Sequence, residues 1–418
     1  MCYIVLESTK FCLKGVYMLI YARFNNFYSF AGQAEFSFKV GKQPTQSLYD
    51  SEIKTNQDIL RLNKVTAVLG ANGSGKTQFL KVIPFLSWFI ARSSQSLNPR
   101  QTIYFEPFRA NEKESSYFEI GFAIKNELGV YDEFRYEVTM TRTSVQREAL
   151  YQKTSRNFSY IFERVNQDDI KQYKHRQFLS PSLADDVNEN VSLISYAYLL
   201  DNSIAKRVVD FFDYMSYNLD SSGRSHSSDD DLISTSKIFN ESSGLRKQAE
   251  DLLCKFDTGI TKIKFENVLA IKPDKSQETI LMPVGIHKYG DKTLKFLFVN
   301  ESNGTRSAFI LLGMILPVLE RGGVAIIDEI DNDLHPHLLP HLIDLFKFEH
   351  TNPHQAQLIF SCHTPEVLNI LKKHQIYLVQ KENQESEAWR LDEVVGVRAD
   401  DNLYAKYMAG AFDAVPNV

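Results

Sequence analysis

Two hydrophobic periods alternate along this chain, and the points where one gives way to the other mark its elements. "MLIYARF" (residues 18–24) and "EFSFKV" (35–40) predict two paired strands joined through "NNFYSF", with Phe36, Phe38 and Val40 on one face. A polar stretch over about 41–60 reads as a connection. "KVTAVL" (64–69) predicts a short buried strand running into a glycine-rich loop and a helix that starts near Lys76. From about 101 to 165, "SYFEIGFAI", "EFRYEVTMT", "REALYQ" and "SYIFERV" alternate apolar and polar residues between polar turns, the pattern of an antiparallel meander.

Helical spacing returns over 189–219. "DSSGRSHSSDDD" (220–231) is poor in apolar residues and is expected to be a mobile surface loop. A short helix over about 244–256 precedes strands near 261–271, 279–287 and 293–300. Helix and strand then alternate to about 380, as in a parallel sheet. There is no repeat of 20–50 residues and no sustained heptad run, which excludes long coiled-coil arms. The resulting division is an extension (1–17), an N-terminal lobe with the meander (18–165), a helical insertion (166–260) and a C-terminal lobe (261–418).

Composition narrows this picture only slightly. With 43% hydrophobic and 24% charged residues and a net charge of −5 over 418 positions, the chain is an ordinary globular sequence without a global basic field. Any nucleic-acid contact must therefore be local, and "KQYKHRQ" (171–177), the basic stretch in view, reads first as a solvated helix face. Cys2, Cys12, Cys254 and Cys362 form no CxxC pair, which argues against a disulfide frame or zinc site and for a reducing, cytoplasmic setting. "GVYMLIYA" (15–22) is too short to span a bilayer.

The candidate chemistry begins at "GANGSGKT", Gly70 to Thr77, a full G-x-x-x-x-G-K-[ST] loop between a strand and a helix. Gly73 and Gly75 let the backbone curl so that N–H groups, with those of Asn72 and Ser74, face a phosphate. The helix start adds its positive end, Lys76 reaches the β- and γ-phosphates, and the Thr77 hydroxyl ligates Mg²⁺. "GGVAIIDEIDNDLHP" ends a buried strand in Asp328 and Glu329, read as a carboxylate for Mg²⁺ and a general base for the attacking water. "QLIFSCHTPEVL" places His363 at the end of another strand, where it would contact the γ-phosphate. "ESNGTRSAF" puts Ser302, Asn303 and Gly304 ahead of a helix over about 305–320. In isolation that segment is an ordinary N-cap; in series with the other loops it is a second phosphate site.

Taken in order, "NNFYSF", "GANGSGKT", "ESNGTRSAF", "DEIDNDLHP", "SCHTPEVL" and "YMAGAFDAVPNV" resemble the bacterial ABC-type AAA-domain proteins related to the overcoming-lysogenization-defect (OLD) ATPases, RecF and the SMC heads. The resemblance implies an α/β fold: an ABC-type P-loop ATPase head with a mixed core sheet, an antiparallel β subdomain and a helical insertion. It implies ATP and Mg²⁺, a homodimer in which Ser302–Gly304 of one copy completes the site of the other, and a D-loop at Asp331, Asn332 and Asp333. It also implies a nearby-encoded effector, a nuclease or toxin, held or activated in antiphage defence modules of the Septu, retron and PARIS kind, with DNA or a phage protein as trigger. The signature is Ser-Asn-Gly rather than the longer transporter form, and Gln101 and Glu106 are the Q-loop candidates. No Toprim-like acidic cluster follows, so nuclease activity is not expected of this chain. A RecF- or SMC-like repair ATPase that clamps DNA is the alternative.

Overall fold

The structure is a computed structural model describing residues 16–41, 46–167, 170–225, 227–256, 258–271 and 277–412. Residues 1–15 of the expected extension, with Cys2 and Cys12, and the tail beyond Phe412 lie outside the described residues.

Strand β1 (Tyr17–Asn25) pairs antiparallel with β2 (Ala34–Ser37), Tyr21 opposite Ser37. The chain then forms a hairpin, β3 (Asp50–Lys54) and β4 (Ile59–Asn63), inside the stretch expected to be a connection. Its sequence gave little sign because β3 buries only Ser51 and Ile53. β5 (Val65–Leu69) leads through the glycine loop into α1 (Lys76–Ser96). The meander follows as β6 (Ser116–Lys125), β7 (Tyr131–Met140), β8 (Val145–Lys153), β9 (Phe158–Gln167) and β10 (Ile170–His175). With β1 and β2 these make a seven-stranded sheet, so "KQYKHRQ" is largely an edge strand rather than a helix face, and the sheet continues past the boundary expected at 165. Alternation of charge and aromatics fits a strand as well as a helix over so short a run, and pairing with β9 decides.

Short helices α2 (Pro181–Asp185), α3 (Leu193–Leu199) and α4 (Ser203–Asp213) precede β11 (Ser216–Tyr217). α5 (Asp229–Glu241) starts within the segment expected to be loop, nucleated by a reciprocal cap between Ser228 and Asp231, and α6 (Ser243–Lys255) follows. A three-stranded antiparallel sheet, β12 (Ile260–Ile271), β13 (Gln277–Tyr289) and β14 (Lys292–Leu297), stands where three strands were expected. Then come α7 (Asn303–Arg321), β15 (Val324–Ile327), α8 (Leu338–Asp344), β16 (Gln357–Ser361), β17 (Ile376–Glu382), β18 (Glu385–Arg390) and α9 (Leu403–Met408).

The core sheet runs β11-β15-β16-β5-β17-β18, all parallel except the last pair. Both its faces are covered, which is why its strands are unbroken apolar runs. In β5, Val68 points into a core built around α1, while Val65, Ala67 and Leu69 point into a second core built around α7. β15 and β16 divide their residues between the same two cores. α1 has Phe79, Leu80, Ile83, Leu86, Phe89 and Ile90 buried and connects the core sheet to the seven-stranded one. The side chain of Gln357 bridges the sheets, taking a bond from Leu19 N at 2.6 Å and donating to Leu19 O and Asn63 O at 3.1 and 2.9 Å. This is an α/β fold with a mixed core sheet and an antiparallel β subdomain, without a long coiled coil among the described residues. No described helix is long and apolar enough to cross a membrane.

Candidate functional site

The carboxyl ends of β5, β15 and β16 open on one side of the core sheet, where parallel α/β sheets bind their ligands. After β5 the backbone needs left-handed residues to curl. Gly73 (φ 74°) lies exposed at the tip beside Asn72, and Gly75 (φ 108°) caps α1. A Cβ on Gly70 would sit 2.1 Å from the Val379 carbonyl, and one on Gly75 would sit 2.5 Å from Ser386 Oγ. The loop is thus clamped from outside. Ser386 donates to the Ser74 carbonyl (2.7 Å), its hydroxyl meets that of Ser29 (2.7 Å), and its N–H bonds the Ser29 carbonyl (2.7 Å). Lys76 is buried, and its ammonium donates to the carbonyls of Gly70 (2.9 Å) and Ala71 (3.0 Å). Burial lowers its pKa against the pull of Asp328 and Glu329.

Asp328 is the hub. Its Oδ2 accepts from Thr77 Oγ1 at 2.7 Å, its Oδ1 accepts from Ser361, and its backbone is locked to Asn218 by bonds of 2.7 and 2.9 Å. Asp328 reaches Thr77 although β15 is not beside β5. β16 lies between them and contributes Ser361 as the link. Thr77 and Asp328 supply hard oxygen donors of the kind Mg²⁺ takes when it keeps several waters, and the buried, partnerless Ser74 Oγ lies in the same loop. The donor set fits Mg²⁺.

Glu329 follows with φ at 49°, an uncommon conformation for a non-glycine residue at a strand end. Its N–H is held by Ser361 Oγ (2.8 Å), Oε1 lies 3.4 Å from His363 Nε2, and Oε2 accepts from Arg224 at 2.6 Å. Burial alone would raise this carboxyl, but the hydrogen bonds to His363 and Arg224 outweigh it and hold the group below the usual carboxylate range. The structure therefore brings together Lys76, Thr77, Asp328, Glu329 and His363.

Asp331 caps the His363 turn, accepting from His363 N (2.9 Å) and Thr364 Oγ1 (2.6 Å). The Asn332 amide oxygen, with the amide turned to face the guanidinium, accepts from both Arg224 nitrogens at 2.6 Å. Asp333, also left-handed (φ 60°), puts its carbonyl 2.8 Å from where a Cβ on Gly304 would stand. Ser302 is the N-cap of α7, accepting from Thr305 N at 3.2 Å, with Asn303 exposed beside it. No hydrogen bond joins Ser302–Gly304 to Gly70–Thr77 of the same chain among the described residues. Gln101 bonds Asn98 N, and Glu106 pairs with Arg142, so neither Q-loop candidate is tied to the phosphate loop.

Arg224, Ser361, Asn218 and the Ser29–Ser386 clamp were not singled out in the sequence. Ser361 had a signal, since it sits two residues before His363 at the end of the same strand. Arg224 had none. It lies in a Ser- and Asp-rich segment, 105 residues from the carboxylate it holds.

The family model described as "AAA domain, putative AbiEii toxin, Type IV TA system" matches residues 65–369. No curated protein matches the chain. Among solved structures, an SMC head domain from Thermotoga maritima is 14% identical, with 90% of this chain and 99% of that chain covered and a TM-score of 0.40. An Smc head domain with a coiled coil and joint from Pyrococcus yayanosii is 10% identical, covering 94% and 99%, with a TM-score of 0.43. The recombination mediator protein RecF with ATP is 12% identical, covering 83% and 92%, with a TM-score of 0.32. At these scores the structural likenesses carry no argument about activity.

Proposed function

The chain belongs to that AAA-domain family, and from this premise we propose that it is a cytoplasmic ATPase whose ATP-bound homodimer controls a partner effector in antiphage defence. The observation that carries the catalytic half is the meeting of Thr77, Asp328, Ser361, Glu329 and His363 at three strand ends. In this reading the loop Gly70–Thr77 and the α1 N-terminus bind the triphosphate. Lys76 turns from the Gly70 and Ala71 carbonyls to the β- and γ-phosphates. Thr77 and Asp328 would hold Mg²⁺, which when bound neutralises charge on the phosphate oxygens. Glu329 takes the proton of the attacking water, and His363 donates to the γ-phosphate.

Ser302, Asn303 and Gly304 stand exposed or half-exposed at the positive start of a 19-residue helix, suited to a phosphate carried by another copy. Gly304, packed on the Asp333 carbonyl, ties that corner to the D-loop, so binding at one interface would be felt at the carboxylates behind it. The effector half, a nuclease or toxin-like protein, is drawn from the sequence resemblance, while the family's description names a toxin–antitoxin system and a putative toxin.

Glu329→Gln tests both parts of the cycle. It is expected to retain ATP, to lower hydrolysis by roughly 10²–10⁴-fold, and to elute as a dimer by light scattering only with ATP and Mg²⁺. A variant that stays monomeric with ATP, or hydrolyses like the wild type, contradicts the reading. A repair clamp on DNA draws on one observation, the largely exposed β12–β14 sheet carrying Lys262, Lys264, Lys288 and Lys292. Its mark would be duplex binding that weakens steeply with salt.

A further inference from the structure

We propose that the cavity between α1 and α7 is a second binding site, for a small aromatic anion, and that one of its walls ties occupancy to Glu329. The cavity holds about 490 Å³, within the usual range for small-molecule sites, and Gly70–Thr77, Asp328 and Glu329 are not among its lining residues. Tyr28 and Trp88 on one side and Met314 on the other offer flat, polarisable walls for a ring.

The charged groups around it do not cancel. Arg92 is committed to Asp213 at 2.9 Å. The Asp220 carboxylate is taken up by its own turn, accepting from Ser222 N (2.7 Å), Ser222 Oγ (2.5 Å) and Gly223 N (3.0 Å). Lys81 is buried yet has no carboxylate at ion-pair distance among the described residues; its ammonium donates to the Ser221 carbonyl (2.9 Å) and lies 4.3 Å from the Tyr28 ring centre. Arg321, in the last turn of α7, is exposed and likewise lacks an acidic partner among the described residues. A ring against Trp88 with its anion turned to Lys81 pairs that ammonium, and Arg321 on the same lining adds to the positive potential, whereas a neutral or cationic guest leaves the ammonium with a carbonyl and the Tyr28 ring alone.

The link to Glu329 runs through Ser221. Its carbonyl accepts from Lys81 and from Tyr28 OH (3.1 Å), and three residues on Arg224 grips Glu329 at 2.6 Å. An anion that recruits Lys81 weakens the hold on Ser221 and so on the turn that presents Arg224. This second step rests on Glu329 acting as the base; binding itself does not.

The test is a fluorescence titration of the full chain, without nucleotide, using 1-anilinonaphthalene-8-sulfonate. We expect one saturable site per chain, weakened about tenfold or more when the buried cation is removed in Lys81→Met, and abolished in Met314→Trp, which fills the cavity. Absence of binding, binding that both variants leave unchanged, or displacement by MgATP would overturn the site. With the probe bound, hydrolysis by the wild type should change by about fivefold or more, and Arg224→Gln should not respond. An unchanged wild-type rate overturns the coupling. A failure of Glu329 as base is recognised separately, by a fully active Glu329→Gln.

Discussion

Both carboxylate oxygens of Glu329 are occupied, Oε1 by His363 and Oε2 by Arg224, and this fixes what each neighbour does to it. Because its folded pKa lies below the ordinary value, the ionised pairing stabilises the fold above the unfolded pKa of about 4.3 and fades as pH falls through the lower folded value. The carboxyl is ionised throughout the neutral range, as the proposed role of base requires. Removing the Arg224 charge must move the carboxyl back up. Arg224→Gln is therefore expected to shift the acid limb of the hydrolysis profile to higher pH, while Arg224→Lys, which keeps a cation, shifts it less. Superimposable acid limbs for the wild type and the Gln variant would contradict this. Thr77, Asp328, Glu329 and His363 were legible in the sequence because each belongs to a contiguous strand-end motif with its own chemistry. Arg224 reaches the site only because β11 adds to β15 and turns the chain back toward the carboxylate, and two residues of strand carry no readable period.

Among the elements, the phosphate loop is held by contact as much as by its own turns. At Gly70 any side chain meets the Val379 backbone at 2.1 Å, so β17 or the loop must shift. Gly70→Ala is expected to lower stability by roughly 2–3 kcal/mol, read as a fall in denaturation midpoint, together with weakened ATP binding. A variant that binds ATP as the wild type does would show that the clamp is dispensable. Gln357 is the second such point. Gln357→Leu leaves Leu19 N–H, Leu19 O and Asn63 O without that partner inside the fold, at a cost of about 3 kcal/mol; a midpoint within error of the wild type would contradict it. The strands β6–β9 were plain from their alternation, and α1 and α7 from the glycine-containing loops ahead of them. The β3–β4 hairpin was not, because half of it faces solvent, and α5 was hidden by a polar start whose capping pair, Ser228 and Asp231, was its one local signal.

For the molecule as a whole, the arrangement of the two loops is the central matter. Gly70–Thr77 lies at the strand ends of the core sheet, whereas Ser302–Gly304 begins α7 and shares no hydrogen bond with it among the described residues. In the proposed dimer a second copy brings them together, an arrangement with two equivalent composite sites by symmetry. Mixing two crippled chains examines this directly. Lys76→Ala removes the lysine proposed to reach the phosphates and Ser302→Arg obstructs the helix corner, so each alone should be nearly inactive. A mixed dimer retains one site with both parts intact, and random pairing of equal amounts should restore about a quarter of wild-type hydrolysis. A mixture no more active than its parents, or a Ser302→Arg chain that hydrolyses ATP unaided, would contradict the account.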